Sequence, residues 1–201
     1  HYGKTWSNLG LVYEEQGEFA QAEAAYVQAL DLHPGLAGTH NNLGRLQFKA
    51  GKFTSARTNL EKALALDPFY VAAQVNLGLL YQRSGRLDAA LQTYVEALKM
   101  DPDYAPAHNN LGLAYAEKGR LGDGLAALRQ ALRLAPDYRA AQINLQLLEL
   151  ERQRNGRLIR VLSVRLSVLS SPARSNPCAD ASPTPGARNQ QVRIGLSGPT
   201  P

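Results

Sequence analysis

Apolar residues recur along most of this chain at the spacing of one helix face, as in Ala22, Tyr26, Ala29 and Leu30, and glycine interrupts them at fixed intervals. The interval is 34 residues: Pro34, Pro68, Pro102 and Pro136 keep it, and so do Gly17, Gly51, Gly85 and Gly119. Leu9-Gly10, Leu43-Gly44, Leu77-Gly78 and Leu111-Gly112 follow the same step, with Ala29, Ala63, Ala97 and Ala131. A period of this length marks a repeat architecture. It predicts four helix-turn-helix units, at residues 3–36, 37–70, 71–104 and 105–138. In each unit a glycine at the fifteenth position makes the turn, and a proline at position thirty-two stops the second helix, because the residue before proline is pushed out of the α region. A glycine at position eight and a small residue at position twenty mark where the two helices approach closely.

The ends of the array read differently. Residues 139–154 start a fifth first helix, with Ala141, Leu145 and Leu148 to pack on the array, but Gln146 and Glu149 stand where a second helix would be received. This is the pattern of a capping helix, which a solenoid needs to cover its last apolar edge. Tyr2 is in register with Leu36, Tyr70, Tyr104 and Tyr138, and the only methionine is Met100, so the chain is expected to be a piece of a longer one with a repeat upstream. Within the fourth unit Gly122 and Gly124 lie two apart in one helix. At roughly 1 kcal/mol each relative to alanine they are expected to make it the weakest of the eight.

The pattern resembles the tetratricopeptide repeat. Trp6, Leu9, Gly10, Tyr13, Ala22, Tyr26, Ala29 and Pro34 occupy the eight signature positions in the first unit. Departures elsewhere are His40, Gln74 and His108 at position four, Gln47 at position eleven and Gly124 at position twenty. The resemblance implies an all-α, right-handed α-solenoid whose first helices line a concave surface. It also implies a non-catalytic protein-protein interaction scaffold whose groove takes a protein or peptide partner in extended conformation.

Charge changes the picture only once it is located. The net charge of +5 looks like a nucleic-acid signature, yet residues 1–154 carry 16 Lys and Arg against 16 Asp and Glu. The excess belongs to the basic tail at 155–201, which has six Arg against Asp180 alone, six Pro and no aromatic residue. The tail reads as mostly disordered, with two alternatives: a decayed second helix at 157–169, or a segment from a shifted reading frame. Lacking aromatic side chains for base stacking, it ranks nucleic acid last among partners. Cys178 excludes a disulfide framework, and no apolar run approaches the roughly 18 residues of a membrane-spanning helix.

No catalytic group, cofactor site or metal site is legible. His40 and His108 stand two units apart, roughly 20 Å if neighbouring first helices pack at the usual distance, and cannot share a metal. The residues that stand out are Asn8, Asn42, Asn76, Asn110 and Asn144, at position six of every unit. Asparagine is a poor helix former, so a ladder of five in mid-helix needs a reason. One reading gives each amide to the backbone of an extended ligand, as donor and acceptor together. The other has the amides bridging neighbouring helices. Beside the ladder, at position nine, run Leu11, Arg45, Leu79, Leu113 and Leu147. They are either an exposed apolar wall for a partner or packing between turns. Lys49 and Arg83 at position thirteen, with Arg45, place positive charge mid-groove, and Glu14, Glu15 and Glu117 place negative charge towards its ends.

Two family functions follow from the resemblance. The carboxylate clamp of chaperone-binding members needs lysine, asparagine, lysine and arginine where this chain has Ser7, Leu11, Ala72 and Asn76, and is absent in this register. The unbroken ladder is similar to the substrate-binding superhelix of O-GlcNAc transferase and of many bacterial members, which implies the alternative of a substrate-recruiting arm of a larger glycosyltransferase.

Overall fold

A computed structural model describes residues 2–154; the sequence expectations for 155–201 lie outside the described residues. Nine helices follow one another among them: α1 (Tyr2–Glu15), α2 (Phe19–Leu32), α3 (Ala37–Lys49), α4 (Phe53–Leu66), α5 (Val71–Arg83), α6 (Leu87–Met100), α7 (Ala105–Glu117), α8 (Leu121–Leu134) and α9 (Arg139–Gln153). Each of the four expected units is one helix pair, and α9 follows the fourth. The fold is an all-α solenoid: each helix packs mainly on its chain neighbours, and the first helices also touch along the array, α3 on α5, α5 on α7 and α7 on α9.

The turn chemistry is the same in every unit. Gly85 has φ of +72°, a left-handed conformation that closes the end of α5. The N–H of Arg86 then donates to the Tyr81 carbonyl at 2.9 Å, and that of Gly85 to Gln82 at 3.0 Å, so carbonyls left over at the helix end are met. The Arg86 guanidinium lies 4.7 Å from the centre of the Tyr81 ring, and Arg120 stacks likewise on Tyr115 at 4.4 Å.

Close approach explains the glycines at position eight and Gly124. A Cβ on Gly78 would stand 2.5 Å from the Tyr94 ring. In the fourth unit one on Gly124 would stand 2.7 Å from the Gly112 carbonyl oxygen, backbone that cannot step aside. Gly124 is therefore required where α7 and α8 meet, whereas a Cβ on Gly122 would meet nothing within 4 Å. The two residues treated alike in the sequence have different causes.

The core runs as successive clusters between helix pairs. Tyr26, Leu60, Tyr94 and Leu128, at position twenty-four of each unit, are fully buried. At the C-terminal end Ala141 and Leu148 of α9 join Leu125, Leu128 and Ala131 of α8, with Leu145 partly buried beside them, as the capping pattern predicts.

Candidate functional site

The first helices build the site, and position six shows how. Asn8 is exposed, but Asn42 and Asn76 are only 3% exposed and Asn110 and Asn144 are fully buried. Of the two readings of the ladder, this burial fits the bridging of neighbouring helices at four of its five members. Asn76 Nδ2 donates to Asn41 Oδ1 of the preceding repeat at 2.8 Å, and Asn144 Nδ2 to Asn109 Oδ1 at 2.9 Å. Asn109 in turn donates to Asn110 Oδ1 at 3.0 Å. The bonds from Asn76 and Asn144 are ties between first helices. The residues missed are Asn41 and Asn109 at position five; the doublets Asn41-Asn42 and Asn109-Asn110 were their visible signal.

Position nine is corrected. Leu79 and Leu113 are 1% and 2% exposed and form no apolar wall; Leu11 and Leu147 are half-buried. Leu113 belongs to the core cluster shared with α8 and α9. Arg45 does not lend free charge to the groove, because both its terminal nitrogens donate to the Glu14 carboxylate, at 2.7 and 2.6 Å. Lys49 Nζ donates to the same carboxylate at 3.0 Å, and the Tyr26 hydroxyl donates to it at 3.2 Å. Burial pushes the Glu14 carboxyl upward, but Arg45 and Lys49 outweigh it and hold the group below its ordinary range. The Tyr26 hydroxyl is pushed well up, by burial first and then by Glu14.

What remains open is a short set. Asn8, Lys49 and Arg83 are exposed, and Arg83 has no ion-pair partner among the described residues. On α9 two buried acceptors are unmet, Asn144 Oδ1 and Glu151 Oε1. Burial raises the Glu151 carboxyl above its ordinary range, and no cation among the described residues opposes that shift.

The histidines are structural. His40 Nδ1 lies 2.9 Å from Asn59 Oδ1 and Nε2 lies 3.0 Å from the Pro34 carbonyl oxygen. His108 Nε2 reaches the Pro102 carbonyl at 2.8 Å, and Gln142 Nε2 donates to that of Pro136 at 2.7 Å. At position four His40, His108 and Gln142 therefore fasten the turn after the preceding helix, while Gln74 Nε2 donates to Glu96 at 3.0 Å. Among the described residues no group of three metal-ligating side chains converges, and no helix is long and apolar enough to cross a membrane.

Comparison with known proteins agrees with this architecture. Tetratricopeptide repeat models match residues 1–68, 59–92 and 105–138, and a TPR repeat model matches 83–119. No curated protein sequence matches the chain. Among solved structures it is similar to TTC0263, a thermophilic TPR protein of Thermus thermophilus, at 27% identity and a TM-score of 0.69, over 85% of this chain and 92% of that one. Its fold is also similar to pilF of Pseudomonas aeruginosa (21% identity, TM-score 0.68, 84% of this chain and 76% of that one). MamA shares the fold at 22% identity and a TM-score of 0.59, over 84% of this chain and 89% of the other.

Proposed function

The chain belongs to the tetratricopeptide repeat family, and from that premise we propose that it is a non-catalytic scaffold that binds an extended peptide segment along its row of first helices. One observation carries this reading: the first helices touch directly from α3 to α9, so equivalent positions recur in register along one face. At roughly 10 Å between packed helices, each step matches about three residues of extended chain, and five helices span a peptide of about 12 residues. The asparagines serve the row first. Their ties set its spacing, and they contact a ligand only through atoms those ties leave over. Asn8, Leu11, Lys49, Arg83 and Leu147 make the remaining contacts, while Leu79, Leu113 and Arg45 hold the wall from behind.

The test is hydrogen exchange of the full chain with and without members of a pool of extended peptides about 12 residues long, selected for binding. The expected result is added protection on α3, α5 and α7 with little change on α2, α4 and α6. Protection confined to the second helices overturns the reading.

A further inference from the structure

The unmet groups along the first helices are not of one kind, and their order carries information. Arg83, at position thirteen of α5, is an exposed cation without an ion-pair partner among the described residues, and Lys49 one repeat earlier is exposed beside it. Lys49 shares Glu14 with Arg45, so that carboxylate is already met by two cations. At the other end Glu151, also at position thirteen, is 6% exposed with Oε1 unmet. Asn144 Oδ1 is unmet two turns back along the same helix, about 10 Å away. The nearby Arg129 is taken up by Glu149 at 2.9 Å. The exposed cation in the middle of the row therefore lacks an anion, and the carboxylate at its end lacks a cation, among the described residues.

Resting on the groove reading above, we infer that the row selects its ligand by charge order: an extended segment with an acidic residue against Arg83 and a basic residue against Glu151. Arg83 and Glu151 are two repeats apart, roughly 20 Å, so the two ligand charges stand about six residues apart. Arginine suits the α9 end, since its long stem carries the guanidinium in to a carboxylate set back from the surface. A buried carboxylate without a cation among the described residues is costly to ionise, and a ligand that brings a cation relieves that cost.

The probes are fluorescein-labelled Ser/Thr/Gln/Ala peptides of about 12 residues, one with Asp and Arg six apart, one with them two apart, and one with Gln at both places. Anisotropy is expected to rank the six-apart peptide about tenfold tighter than the other two. Arg83→Glu should abolish that advantage and restore it for a peptide carrying Lys in place of Asp. Glu151→Gln should remove the contribution of Arg alone, with unchanged far-ultraviolet circular dichroism for both variants. Equal binding of all three peptides overturns the charge order and leaves the groove reading standing. Binding of none overturns both.

Discussion

The junction between repeats 1 and 2 is held by ions, and the junction between repeats 2 and 3 by amides. At the first, Glu14 reaches from α1 to Arg45 and Lys49 of α3, steadied by the Tyr26 hydroxyl. At the second, Asn76 donates to Asn41 with no charge involved. The alternation continues. Between repeats 3 and 4 the Tyr94 hydroxyl donates to Gln82 Oε1 at 3.0 Å, and Gln82 Nε2 donates onward to Glu117 at 2.8 Å; between repeat 4 and α9 the first helices are tied by Asn144 to Asn109 again, beside an Arg129–Glu149 ion pair from α8. The 34-residue period of the backbone thus carries a 68-residue period in these bonds between first helices. Its source is position twenty-four: Tyr26 and Tyr94 can orient a polar residue at position twelve, whereas Leu60 and Leu128 face Phe48 and Ala116 there and leave the crossing to position five.

If the two junction types differ in this way, the largest effect comes from removing the shared carboxylate. Glu14→Ala leaves the Arg45 guanidinium buried without its partner and should cost about 3 kcal/mol or more, read as loss of exchange protection in α1 and α2. Acid should imitate it. The folded Glu14 carboxyl titrates lower than it does unfolded, so its stabilisation is complete above the ordinary carboxylate range and is lost as pH falls through the folded value. Exchange in α1 and α2 should therefore rise in acid before exchange across the Asn41–Asn76 junction. Simultaneous loosening of both would erase the distinction.

The amide junctions come next. Asn109→Ala removes the acceptor of Asn144 Nδ2, whose oxygen is already unmet, and should cost about 2 kcal/mol by thermal or denaturant unfolding. Its effect should be the same at low and high salt, while that of Glu14→Ala is partly screened. The same burial changes the expectation for Asn42, Asn76 and Asn110 together: alanine is the better helix former, but these amides are inside, and the triple variant should lose stability.

A control inside one repeat sharpens the contrast with effects across junctions. Gly124→Ala drives a methyl into the Gly112 carbonyl and should cost about 1 to 2 kcal/mol. Gly122→Ala, in open space on the same helix, should raise stability by up to about 1 kcal/mol.

Those two glycines also show how far the sequence could be read. Period, helix pairs and turn glycines are local signals repeated four times, and each one recurs in the structure as a named bond or a close approach. What a glycine is for depends on the distance to another helix, which spacing does not contain. The site was legible as positions and not as partners. Asn76 and Asn144 were found as a ladder, but that they reach Asn41 and Asn109 depends on a neighbouring helix 35 residues away in sequence. Arg45 and Glu14 were both singled out as groove charges; that they neutralise each other needed the distance between α1 and α3.

The smallest effect tests whether the tyrosines cause the alternation or only accompany it. Tyr26→Phe and Tyr94→Phe each delete one oxygen from a fully buried ring and leave the packing against Gly10 and Gly78 unchanged. At the first junction Glu14 keeps three donor bonds, from Arg45 twice and from Lys49, so losing the hydroxyl should cost only about 0.5 kcal/mol. At the third junction Gln82 Oε1 loses the donor that orients the amide, and the bond to Glu117 is left to a side chain free to turn, so the cost should be about 1 kcal/mol. A double-mutant cycle between Tyr94→Phe and Glu117→Gln isolates that coupling. A coupling near zero would mean that the hydroxyl does not position Gln82, and that the 68-residue chemical period rests on the crossing residues alone.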